Sequence, residues 1–156
     1  NSTVGQNDIV IIAGDFAFAG ITKIRELVQS LNGIKILIKG NHDNHRSKKY
    51  RENGFFAVER YLIIDDIFIG HYPVYGDEQQ RIADLEKRVE WDRYNVNQNY
   101  TQYVQFIKDS KCTKILHGHI HNKKIVYDSR YKQYNIGIDN NDGKILSLSE
   151  AILKLK

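Results

Sequence analysis

The sequence predicts an α/β fold on three observations: two β-branched apolar runs flank a helical periodicity, further short apolar runs recur along the chain, and several of them stop at glycine-bearing loops carrying Asp, Asn or His. Ile9 to Ala13 forms the first run, bounded by Asn7-Asp8 before and Gly14-Asp15 after, and reads as a buried strand ending in a loop. Thr22 to Leu31 places Ile24, Leu27, Val28 and Leu31 at helical spacing, with Asn32-Gly33 as the stop signal. The second strand is Ile34 to Ile38, running into Gly40-Asn41-His42-Asp43. A strand, helix, strand unit of this kind implies parallel pairing with a helix over one sheet face. Sites in such sheets gather beyond the carboxyl ends of the strands.

The basic stretch from His45 to Arg51 predicts a short helix ending near Gly54. Strands follow at Tyr61 to Ile64 and Ile67 to Ile69, joined by a turn at Asp65-Asp66, and the second leads into Gly70-His71-Tyr72-Pro73. From Gly76 to Ser110 the pattern predicts two helices that meet around Asn95 to Asn99. Ile82, Leu85 and Val89 lie on the apolar face of one, and Tyr100, Val104 and Ile107 on that of the other. Lys114 to Leu116 is a short strand leading into His117-Gly118-His119-Ile120-His121. Lys124 to Tyr127 and Gln133 to Ile138 predict a hairpin across Asp128-Ser129-Arg130, and Asn140 to Gly143 a further turn. Ser147 and Glu150 have capping-box spacing and open a closing helix, Leu148 to Leu155.

A chain of 156 residues, 41% hydrophobic and 27% charged, fits one globular domain over 1–156 with enough apolar surface to fold unaided. No apolar run approaches the roughly 20 residues that span a bilayer, and the start has no basic-then-apolar signal pattern, so a cytoplasmic protein without a membrane partner is expected. Cys112 is the single cysteine, which excludes an intramolecular disulfide and a thiolate metal site. The net charge of +4 suits an anionic partner, nucleic acid among them, but is modest. Methionine is absent throughout, position 1 included, so the chain does not begin at a translation start and an upstream segment is expected.

Four glycine-bearing loops follow apolar strands: Gly14-Asp15, Gly40-Asn41-His42-Asp43, Gly70-His71 and His117-Gly118-His119-Ile120-His121. In each, glycine is expected to turn the backbone sharply while its neighbour faces the strand's end. In the last, alternate histidines are expected to share one face, as they would on an extended strand. Gly14-Asp15 alone is a common turn, and His71 alone is an ordinary loop histidine. Recurrence in this order is what points to a metal. Carboxylate, amide and imidazole are borderline-to-hard ligands suited to Mn²⁺, Fe, Zn²⁺ or Mg²⁺. A bridging carboxylate holds two such ions roughly 3.5 to 4 Å apart and turns a water between them into a hydroxide poised for in-line attack on phosphorus. A histidine outside the metal shell then protonates the leaving oxygen or steadies developing charge.

The order Gly14-Asp15, Gly40-Asn41-His42-Asp43, His71, Gly118-His119-x-His121 resembles the signature of calcineurin-like metallophosphoesterases, and the tail Tyr134 to Asp139 is similar to that of small single-domain bacterial and phage members. The resemblance implies a two-sheet β-sandwich flanked by helices in α-β-β-α layers, and hydrolysis of a phosphomonoester or phosphodiester by a dimetal-activated hydroxide. It makes Asp15 the bridging carboxylate, with Asn41, His71 and His119 completing one metal, manganese favoured, and His121 on the other. His42 contacts the phosphate and assists the leaving group; His117 has no ligand role and is expected behind the ligands or in packing.

Two departures stand out. No Asp-x-His precedes Gly14 in this chain, although the family opens with one at the end of its first strand. One metal is therefore expected to be held well and the second poorly, with the sheet edge where that strand would pair left open. Where many relatives carry a second Asp that orients the catalytic histidine, this chain has Phe18 or its neighbour, which leaves the orienting partner of His42 open. Arg46, in the basic stretch, is a candidate for substrate phosphate, though a solvated helix face accounts for the stretch as simply. Tyr72 and Tyr75 are candidates to flank a base or aryl group, against plain packing. The competing readings are a regulatory module with one metal and no turnover, and a nuclease built on the same centre.

Overall fold

The computed structural model describes residues 1–86, 93–121 and 124–155, which divide into two compact units, Asn1–Leu62 and Ile63–Lys156. In the first unit, β1 (Ile9–Ile12), α1 (Ile21–Ser30), β2 (Ile34–Ile38), α2 (Ser47–Glu52) and β3 (Ala57–Glu59) follow one another. The strands form a parallel sheet in the order β1-β2-β3, with Ile9 beside Ile34 and Ile36 beside Ala57. The expected crossover is present: α1 buries Ile24 and Val28, one turn apart, in a core completed by Leu37, Tyr50, Phe55 and Val58. Gly33 ends the α1 turn at φ 84°, where an added Cβ would stand 2.8 Å from the Asp8 carbonyl oxygen. The helix in the basic stretch is two residues shorter at its start than expected and ends at Glu52, before Gly54 at φ 111°. β3, three residues long, carries too little alternation to be seen in the sequence.

The second sheet has the order β4-β5-β6-β7, from β4 (Leu62–Ile64), β5 (Ile67–Ile69), β6 (Lys114–His117) and β7 (Lys132–Asn135). Ile67, Phe68 and Ile69 are all buried, which explains why β5 reads as an unbroken apolar run and not as an alternating one. Two helices, α3 (Glu78–Glu86) and α4 (Arg93–Ser110), stand between β5 and β6 in the chain. Residues 95–99 are helical within α4, so the expected break there is wrong; residues 87–92, Val89 among them, lie outside the described residues.

The expected hairpin is also corrected. Lys124 to Tyr127 is not a strand, Tyr127 making only a bridge to Tyr75, and β7 lies parallel to β6 with Leu116 beside Tyr134. Lys132 and Ile136 donate their N–H groups to the Thr113 and His117 carbonyls, so β6 takes the bonds that a hairpin partner would need. The closing helix, α5 (Leu148–Leu153), starts as expected with both arms of the capping box: the Glu150 N–H donates to Ser147 Oγ and the Ser147 N–H to Glu150 Oε2.

Candidate metal centre

The first unit brings two of the polar loops together. After β1 the chain passes through Gly14 at φ 91° and Asp15 at φ 54°, two consecutive left-handed residues. Glycine adopts that conformation freely, whereas an aspartate held there costs of order 1–3 kcal/mol. Asp43 holds the turn. Its Oδ2 accepts the N–H groups of Asp15 and Gly40, both at 2.8 Å, and its Oδ1 accepts that of Phe16 at 3.1 Å. Asp43 is only 3% exposed, and burial pushes its carboxyl above the ordinary range although the three N–H donors pull the other way. In return Asp15 Oδ1 accepts the His42 N–H at 2.9 Å. The loop after β1 and the loop after β2 are thus stitched together by carboxylate-to-backbone bonds running in both directions. Asn41 sits in the same turn as His42.

The His42 ring faces Phe18, centroids 4.5 Å apart, and its Nε2 is buried with no hydrogen-bond partner among the described residues. Phe18 itself is 78% exposed, an apolar ring laid against the imidazole from the solvent side. Arg46 stands at the N-cap position of α2 without a side-chain capping bond and is exposed; behind it Lys48 and Lys49 lie 3.8 and 3.9 Å from Glu52, a solvated and partly neutralised face.

In the second unit β5 delivers His71 and β6 delivers the histidine triplet. His71 is 2% exposed, and its Nε2 lies 3.1 Å from His119 Nδ1. Two imidazole nitrogens on one cation, each about 2.0–2.1 Å from it, stand roughly 3 Å apart, so this pair fits chelation of a single ion. The Tyr72 ring packs against both imidazoles at 4.8 and 4.7 Å and against Tyr100 and Tyr103 at 6.0 and 5.7 Å. Tyr75 joins Tyr100 at 5.9 Å. These tyrosines are packing residues, which favours the plainer of the two readings for Tyr72 and Tyr75.

The alternation expected of the triplet is corrected. Only His117 belongs to β6; His119 at φ 68° and His121 at φ 47° are left-handed, so the three side chains do not share a strand face. His117 is fully buried beneath the Tyr127 ring at 5.4 Å, its Nδ1 2.9 Å from the Gly118 oxygen and its Nε2 unpartnered among the described residues. Burial lowers its pKa from 6.5 to about 4, leaving the ring neutral. His121 Nδ1 bonds Asp139, and that bond pulls the Asp139 carboxyl below its ordinary value. The sharp-turn role expected of glycine holds at Gly14, but Gly40, Gly70 and Gly118 are not left-handed.

Asp43, Asp84 and Asp139 have parts that the motif reading did not give them. A signal existed for Asp43, which follows His42 directly. Asp84 is a helix residue that meets His119 from 35 positions earlier in the chain, and no local pattern marks it.

The fold agrees with the comparisons. The family model described as calcineurin-like phosphoesterase matches residues 2–123, and the chain belongs to that family. A protein of unknown function from Aquifex aeolicus has a crystal structure with a TM-score of 0.65 and 26% identity, the match covering 99% of this chain and 80% of that one. No curated protein matches this chain. Mixed α/β architecture with two sheets and accompanying helices, divalent metal and phosphoester hydrolysis in general follow from the family. No helix of the described residues is long and apolar enough to cross a membrane.

Proposed function

We propose that this chain is a cytoplasmic hydrolase of phosphomonoesters or phosphodiesters that works with two divalent cations, manganese favoured. Asp15, Asn41, His71, His119 and His121 are the ligands, Asp15 serving both ions. The observation that carries the reading is the 3.1 Å approach of His71 Nε2 to His119 Nδ1, in a chain whose family uses metal for this chemistry. When bound, the metals supply charge stabilisation for the phosphoryl oxygens and a nucleophile at neutral pH.

The chain's own residues do the rest. His42 has a buried Nε2 without a partner among the described residues, which suits it to hold a proton at that atom for the leaving oxygen. Its backbone is fixed by Asp15 and its ring by Phe18, so orientation rests on packing where relatives use a carboxylate. Asp43 keeps the Asp15 and His42 loops in one arrangement, so that binding a substrate costs little reordering. Arg46 is the side chain of the basic stretch assigned to substrate phosphate.

Purified protein with Mn²⁺ is expected to hydrolyse an aryl phosphate monoester or diester. His119→Ala is expected to lose metal by elemental analysis together with activity. His42→Gln is expected to keep its metal and turn over roughly 10²–10⁴-fold more slowly. Metal binding without hydrolysis of either ester would favour a regulatory module, and cleavage of single-stranded nucleic acid that weakens steeply with salt would favour a nuclease.

A further inference from the structure

We propose that Asp84 is a positioning residue for His119: its carboxylate, lying against the imidazole Nε2, favours the ring proton there by its charge and so leaves the Nδ1 lone pair directed toward the place beside His71. This inference rests on the reading of His71 and His119 as ligands of one cation and assigns a further residue to it.

The observations lie within the second unit. Asp84 Oδ2 stands 3.2 Å from His119 Nε2, with both side chains almost wholly enclosed at 8% and 3% exposure. Nε2 is buried and has no aligned hydrogen-bond acceptor among the described residues, so the carboxylate 3.2 Å away is an anionic oxygen within reach of an otherwise orphaned N–H. Asp84 is itself held, since the Tyr75 hydroxyl donates to the same Oδ2. Tyr75 is buried, and its pKa is raised first by that burial and next by its bond to Asp84, which keeps the hydroxyl proton in place as a donor. The Tyr75 N–H in turn donates to Tyr100 Oη at 3.2 Å, and Tyr100 donates to the Pro73 carbonyl at 3.2 Å.

The chemistry follows from imidazole having two nitrogens. A neutral ring carries its proton on one nitrogen and a lone pair on the other. A carboxylate at Nε2 favours the tautomer with the proton there, which leaves Nδ1 to face His71 Nε2 at 3.1 Å. Partners of this kind behind a ligating histidine fix its tautomer and ring orientation and raise its basicity. Here the partner comes from α3, which ties a helix to the loop after β6. His119 is left-handed at φ 68°, so its backbone alone holds it poorly, and a second tether on the ring has a purpose.

The test uses the whole chain, freed of metal and ¹⁵N-labelled at histidine. Long-range ¹H–¹⁵N spectra report which ring nitrogen of His119 carries the proton, and titration with Mn²⁺ gives the affinity. The wild type is expected to carry the His119 proton on Nε2. Asp84→Asn, which keeps the side chain's shape, is expected to lose that preference and to bind Mn²⁺ about 10–100-fold more weakly. Tyr75→Phe removes the other partner of Asp84 but leaves the carboxylate beside His119, and is expected to keep the wild-type tautomer and nearly the wild-type affinity. A proton on Nδ1 in the wild type, or Asp84→Asn binding Mn²⁺ as tightly as wild type, overturns the assignment of Asp84. So does an equal loss in Tyr75→Phe, since Asp84 would then act only through packing. Failure of the wild type to bind Mn²⁺ overturns the metal-centre reading instead, and the tautomer still decides Asp84.

Discussion

His117 is a neutral imidazole sealed under Tyr127, and its burial has a pH dependence that can be worked out. Its folded-state pKa, about 4, lies below the ordinary 6.5 of an exposed histidine, with burial the largest cause. As pH falls below 6.5 the unfolded chain takes up a proton that the folded chain refuses, so stability is lost progressively down to about 4 and is fully present above 6.5. The full span is worth roughly 3 kcal/mol. Urea midpoints between pH 7 and pH 4 should therefore fall less steeply in His117→Gln than in the wild type, and parallel slopes would remove His117 as a source of acid sensitivity. At this scale the polar residues of the glycine-bearing loops were legible as candidates, and the structure puts His71 beside His119 and bonds the His42 N–H to Asp15. The sequence did not disclose Asp84, because a carboxylate on a polar helix looks the same whether it meets water or an imidazole. It also misjudged the geometry of His119 and His121, since a left-handed φ at histidine leaves no trace in composition.

Among the elements, the step from β5 to His71 depends on a glycine for a reason that differs from the expected turn. Gly70 is not left-handed; an added Cβ there would meet the Tyr103 ring, with Cε2 at 2.6 Å. That ring cannot easily retreat. It is buried on α4, donates to the Tyr72 carbonyl at 2.6 Å, and packs on Phe68 at 5.4 Å. Gly70→Ala is therefore expected to destabilise the protein by roughly 1–3 kcal/mol through overpacking and to displace His71, lowering metal affinity as well. A denaturation midpoint and a Mn²⁺ affinity both equal to wild type would show that Tyr103 yields freely. Elements whose signals are local were legible: β2, β5 and the capping box of α5 follow from apolar runs and one Ser/Glu spacing. The failed hairpin shows the limit. Two adjacent strand-prone runs pair only if nothing better is offered, and β6 offered β7 a parallel partner from further back in the chain.

For the molecule as a whole, metal and stability should be linked. The second unit has its own buried residues and carries the proposed ligands His71, His119 and His121. An ion that binds the folded chain and not the unfolded one adds about 2.7 kcal/mol when its free concentration is a hundred times its dissociation constant. For a chain of this length that corresponds to a rise in melting temperature of roughly 5–10 °C. The rise should appear with Mn²⁺, vanish on chelation, and shrink sharply in His119→Ala. His42→Gln should keep it, because that residue is placed at the leaving oxygen and not on the metal. The same scan therefore separates ligands from the proton donor without any substrate. A wild-type melting curve indifferent to Mn²⁺, Zn²⁺ and chelator alike would show that the histidines of the second unit hold no ion, and with that the proposed hydrolase would lose its cofactor.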